Sequence, residues 1–307
     1  MTDGDARPAI TIHPTKLAPL PADRLRVEPA PDGSVATDPA RSGWRYLSFR
    51  SARIGAGETL DLDEPERETA VVTISGGGVV IDVDGGSELE LHGRPSVFEG
   101  MPWAAYLPAG TSARITGRPI DGREAIIAIA HAPLTGREGV AREAILVTPD
   151  DVEIEIRGAG NATRQVNNLM MPAFPADRLL VCEVFTPNGN WSGWPPHKHD
   201  VDDYPAEAVL EETYYYQMSR PEGWAIQRVY HKDGTRDVFI PVRHGDLVVV
   251  DQGYHPFAST QGYDAYYLNV LAGDRRTMAN RDDPELAWVR TLWPSMTQDP
   301  RLPIVHP

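Results

Sequence analysis

Short runs of β-branched and aromatic residues, each closed by glycine or proline, recur along this chain. They fall at 70–75, 79–83, 125–130, 179–185, 213–217, 225–230, 246–250 and 265–271. Alternation over so few residues predicts half-buried strands, because successive side chains on a strand point to opposite faces. With 27 Gly and 28 Pro in 307 residues, few windows hold three uninterrupted amphipathic turns, so little helix is expected. Many short strands between turns predict an all-β sandwich or barrel.

Two stretches follow one plan. The first runs from Glu68 through Gly76 and later from Tyr106 to Ser112; the second runs from Glu212 through Gln217 and later from Val249 to His255. In each, an acidic residue opens a strand and a later strand runs into a glycine turn. This is the layout of a cupin, a small jelly-roll barrel, used twice: an all-β bicupin with two jelly-roll barrels in tandem. Thr148-Pro149-Asp150-Asp151 separates the last apolar run of one unit from a new alternation at 152–156, giving units of 1–150 and 151–307. The tail after Gly273, rich in Arg, Asp and Pro, is expected to pack over a barrel or a partner subunit.

Composition narrows the function classes. A hydrophobic content of 41% suits a soluble protein with sizeable cores. With 44 acidic against 29 basic residues, the net charge of -15 repels a phosphate backbone, so no nucleic-acid partner is expected. No apolar stretch approaches bilayer-spanning length and the N-terminus does not resemble a secretory signal, which predicts a cytoplasmic protein with no membrane association. Cys182 is the only cysteine and sits in an apolar run, which predicts a buried, inert thiol.

The chemistry gathers in the second unit. In Trp194-Pro195-Pro196-His197-Lys198-His199-Asp200, the two histidines stand one residue apart. On a strand both imidazoles face one side while Lys198 faces the other, the geometry of a two-histidine chelate. A lone pair of this kind is more often a surface feature. Glu212, directly before the β-branched Thr213, and His255, after the Gly253 turn, stand in the order of a cupin's remaining ligands. The set His197, His199, Glu212 and His255 suits zinc first, with manganese, iron or nickel as alternatives. The first unit has no histidine just before Glu68, and Ser112 stands where His255 would be, so it is expected to be metal-free. Tyr214 and Tyr216 share the face of Glu212 and are the candidates for moving a proton, beside a metal-bound water. Arg164 and Arg228 are the candidates for holding a substrate carboxylate, against a plain surface role for each.

The runs "ADRLLVCEVFTPNGNWSGWPPHKHD", "LEETYYYQ", "GDLVVVDQGYHP" and "GYDAYYLNVLAG" resemble the 5-deoxy-glucuronate isomerase family of myo-inositol catabolism. Weaker similarity in "GWRYLSF" and "SVFEGMPWAAYLPAG" extends it over most of the chain. The resemblance implies a bicupin with a divalent metal in its second barrel, and an aldose–ketose isomerase that converts 5-deoxy-D-glucuronate to 2-deoxy-5-keto-D-gluconate. The metal would act as a Lewis acid on the carbonyl. The residues after Gly273 depart from the pattern, which carries an aromatic and a histidine before the Asp-Pro at 283–284. The related 5-keto-4-deoxyuronate isomerases, a bicupin dioxygenase and a sugar-binding bicupin are the alternatives. A homo-oligomer is expected, since cupin sheets commonly pair edge to edge.

Overall fold

The computed structural model describes residues 19–307. Every predicted strand is present, and the sole described α-helix is the single turn Pro39–Ser42. The first barrel packs a six-stranded sheet on a four-stranded one. The larger sheet has Arg67–Gly76 and Ala125–Pro133 at its centre, flanked by Ala104–Leu107 and Ser48–Ile54. The second barrel repeats this with Leu210–Met218 and Ala265–Gly273, flanked by Leu247–Val250 and Leu180–Thr186, opposite a four-stranded sheet containing Trp224–Tyr230. The two larger sheets face each other. Phe49, Val72, Ile74 and Tyr106 of one and Val181, Phe185, Tyr215 and Val249 of the other belong to a single buried cluster. The first barrel's interior forms a separate one, around Val71, Ile81, Ile115 and Ile129.

The pairing register aligns the barrels residue by residue. Ser48, His131 and Thr69 form one row across three strands, and Leu107 continues it. In the second barrel the matching row is Leu180, Leu271, Glu212 and Val250. Glycine with positive φ follows Leu107 and Val250 at the same distance, at Gly110 and Gly253. The counterpart of Glu212 is therefore Thr69, and Glu68 corresponds to Glu211. The match of Glu68 with Glu212 expected from the sequence is one residue out of register, which on a strand exchanges the two faces.

Glu68 and Glu211 point toward the opposite barrel and do the same work. The Glu68 carboxylate accepts the backbone N–H of Asp177, Arg178 and Leu179 at 2.6–2.7 Å and the Tyr106 hydroxyl at 2.8 Å. Glu211 accepts the backbone N–H of Arg45, Tyr46 and Leu47 at 2.6–3.0 Å. Each barrel thus holds the loop that enters a flanking strand of the other's larger sheet.

The 3-10 turn Pro149–Asp151 stands at the boundary read from the sequence. An earlier segment crosses it: Arg26–Val27 pairs with Leu247 and Val248, adding an edge strand to the second barrel's sheet. No described helix is long and apolar enough to cross a membrane.

Candidate metal centre and its cavity

His197 lies on a two-residue strand, His197–Lys198, paired with Arg281–Asp282 of the tail. Lys198 points away and donates to Asp200 and Glu207, both at 2.6 Å. Asp200 in turn accepts the Gly253 N–H at 2.9 Å, tying the histidine strand to the turn that carries His255. These contacts give the acidic segment after His199 a task that its composition did not reveal.

His197, His199 and His255 bring one ring nitrogen each to within 4.8 Å of the others. The Glu212 Oε2 atom lies 2.8 Å from His199 Nε2 and 3.2 Å from His255 Nε2. Both rings are oriented from behind: His199 Nδ1 lies 3.0 Å from the Leu210 carbonyl and His255 Nδ1 lies 2.8 Å from the Gly253 carbonyl. An Nδ1–H donating to a carbonyl leaves a lone pair on Nε2, the arrangement that prepares histidine for a metal. Asn269 fixes the other Glu212 oxygen at 2.8 Å.

The residues fit a divalent cation. The buried His255 Nε2 has no hydrogen-bond partner among the described residues. Two imidazole lone pairs directed at a carboxylate oxygen repel it unless a proton or a cation intervenes. Burial raises the Glu212 carboxyl, but the His199 and His255 rings outweigh it and hold the group well below the usual carboxylate range. Burial, reinforced by the neighbouring His255 and His199, keeps His197 well below its ordinary value and neutral. A neutral His197 and an ionised Glu212 are protonation states that ligation requires, whereas at His199 the Glu212 charge outweighs burial and raises the ring, a proton that a bound cation would displace.

Above this cluster opens a cavity of about 460 Å³. Tyr214 lines it, and burial followed by the Glu212 charge pushes its hydroxyl well up, so it remains a protonated donor. Tyr216 does not line it; its hydroxyl donates to Gln227 at 2.6 Å. Arg164 lines the wall, and burial lowers its guanidinium to about 10, still cationic at neutral pH. Arg228 lies elsewhere, paired with Asp237 at 2.7 Å and set over the Tyr230 ring. Cys182 is buried, its thiol pushed up to about 12 by burial, as an inert cysteine should be.

Several lining residues escaped the sequence reading. Arg157 reaches the cavity while paired with Glu155 at 2.7 Å, and Tyr267 meets Ser192 at 2.6 Å. Met278, Asn280, Arg290 and Trp293 come from the tail, which does pack over the second barrel. Arg290 forks onto Asp282, the partner of His197 in the short strand pair. An unexplained arginine in a strand was the available signal for Arg157; the irregular tail offered none for Arg290.

A family model described as the KduI/IolB family matches residues 25–289. This chain belongs to that family. A relative named 5-deoxy-glucuronate isomerase from Geobacillus kaustophilus (strain HTA426) is 39% identical over 264 residues, covering 85% of this chain and 92% of the relative. One of the same name from Lacticaseibacillus casei is 36% identical, over 81% of this chain and 90% of the other. The crystal structure of an IolB-like protein from Salmonella typhimurium LT2 superposes with a TM-score of 0.77 at 36% identity, covering 83% of this chain and 94% of that one. Lactobacillus farciminis oxalate decarboxylase matches 84% of this chain and 85% of its own at a TM-score of 0.59 and 12% identity, a likeness of fold that supports the bicupin. As a KduI/IolB member with relatives of this name, the chain is an enzyme of the isomerase class.

Proposed function

We propose that this enzyme converts 5-deoxy-D-glucuronate to 2-deoxy-5-keto-D-gluconate, as a metal-dependent aldose–ketose isomerase of myo-inositol catabolism. The reading rests on one cavity that combines a three-histidine, one-glutamate donor cluster with Arg164, which is half-buried and has no ion pair among the described residues. A substrate with a hydroxyaldehyde at one end and a carboxylate at the other matches both features. His197, His199, Glu212 and His255 would hold the divalent ion, zinc among those that suit such a set, and when bound it supplies Lewis-acid polarisation of the carbonyl.

The chain's own groups account for the rest. Arg164 binds the carboxylate through a charge-assisted pair made strong by burial. The reaction takes the proton from C2, returns one to C1, and moves the hydroxyl proton from O2 to O1. Tyr214, neutral and facing the cavity, serves a substrate oxygen during this exchange. Met278, Asn280 and Trp293 cover the site and limit water.

The test is turnover of 5-deoxy-D-glucuronate followed by NMR, beside 5-keto-4-deoxyuronate, with metal content measured on the same samples. Chelation is expected to abolish turnover and added zinc or manganese to restore it. Full metal content and full activity in His197→Ala would refute the metal reading, and faster turnover of the ketouronate would assign the related reaction. In deuterated water, solvent deuterium at the product's hydroxymethyl carbon, the former aldehyde carbon of the substrate, supports proton transfer; its absence supports a hydride shift.

A further inference from the structure

The first barrel has a cavity of its own, about 310 Å³, bounded by Arg41, Arg50, Arg67 and His131 with Asp38 and Glu64 at its edge. Its position follows from the register. His131 and Ser48 share the row of Thr69, the counterpart of Glu212, and the next inward-facing row places Arg50, Ile129 and Val71 where the second barrel has Cys182, Asn269 and Tyr214. It is the mouth of the first barrel at the place that holds the metal cluster in the second. The metal donors are replaced there by guanidinium groups.

We propose that this mouth is a metal-free site for a small oxyanion, a carboxylate or a phosphate. Three arginines converge on it in a chain whose net charge is -15, against two carboxylates. Of these, Asp38 already accepts the Arg41 N–H at 2.8 Å as a helix cap, while Glu64 stands 3.9 Å from His131 Nε2 at the rim. Arg67 uses only Nη2, on Ser48 Oγ at 2.7 Å and on the Tyr46 and His131 carbonyls. The Arg50 side chain makes no hydrogen bond or ion pair with any described residue. His131 Nδ1 is tied to Thr69 Oγ1 at 2.8 Å, which fixes the ring at the cavity wall. A guanidinium fork, part-buried and unengaged, is the group best matched to the paired oxygens of a carboxylate or phosphate. The cavity is of a size that takes a small ligand.

Calorimetric titration of the full-length, metal-loaded enzyme tests this, with sodium phosphate and sodium D-glucuronate as separate probes. Arg50→Gln is expected to weaken binding of at least one probe by about tenfold or more, the loss of a charged hydrogen-bonding partner. Arg50→Lys should retain part of it, and Arg164→Gln should leave that binding event in place while removing any event in the second barrel. Loss confined to phosphate identifies a phosphate site, and loss of glucuronate binding identifies a sugar-acid site; either supports the proposal. Unchanged isomerase activity and circular dichroism certify that Arg50→Gln is folded. Binding of neither probe below about 10 mM, or identical affinities in wild type and Arg50→Gln, overturns it.

Discussion

Tyr214 and Tyr216 have the same side chain on the same strand face, yet their surroundings separate them. Tyr214 opens onto the cavity, whereas Tyr216 is fully buried with its hydroxyl committed to Gln227. Tyr214→Phe is therefore expected to lower kcat about a hundredfold or more, in the range of a positioned proton donor. Tyr216→Phe should leave kcat near wild type and cost about 1 kcal/mol of stability, measured by denaturant unfolding. His131 makes a second prediction. Burial, then Arg67 and Arg50, depress its ring to about 3, so it is neutral in the fold and protonated in the unfolded chain at mildly acid pH. A depressed value means its contribution is complete above the unfolded pKa and is lost as pH falls toward the folded one. Stability should drop by about 1.4 kcal/mol per unit as pH falls from roughly 6.5 toward 3. His131→Asn should flatten that slope in unfolding curves taken between pH 6 and 4. At this scale the sequence exposed residue types and order: the four expected ligands do converge. It could not separate Arg164 from Arg228, because the face of a strand is legible but the depth of a barrel wall is not.

Strands were legible because alternation reports burial directly. Among those missed, Thr59–Asp63 and Ser87–Leu91 belong to the smaller sheet of the first barrel and alternate leucine with exposed acidic residues, without the aromatic and β-branched runs that mark the others, while Ser48–Ile54 and Asp237–Arg243 lie in other sheets and carry charged residues at exposed or half-exposed positions. The His197–Lys198 strand is two residues long and exists through its pairing with the tail, a long-range event invisible to any local pattern. Register was the hardest element-level feature, since Glu68, Glu211 and Glu212 look alike on paper. Their partners decide: Glu212 faces imidazoles, Glu68 and Glu211 face rows of backbone N–H. Glu68→Gln keeps the shape but aims an amide donor at N–H donors, so it should destabilise the protein by about 3 kcal/mol in urea unfolding. An effect below about 0.5 kcal/mol, the level of an ordinary surface substitution, would mean the clasp contributes little.

Across the whole molecule, the tandem plan is real but the barrels are not independent. Their facing sheets share one core, and Arg94 of the first barrel is buried against Glu183 of the second, where Tyr266 and Asn167 also donate. With the two glutamate clasps acting in opposite directions, loosening one barrel releases the other's loop. Thermal unfolding by calorimetry should give one transition with matching calorimetric and van't Hoff enthalpies, and two resolved peaks would contradict this. The edge strand Arg26–Val27 adds a consequence for how the chain is made. It completes the sheet that carries Glu212, and Arg26 pairs with Asp246, 220 residues further on. During synthesis this segment has no place to dock until the second barrel has nearly emerged from the ribosome. A stretch made before either barrel is thus among the last to settle, and the second barrel's sheet stays one strand short until it does.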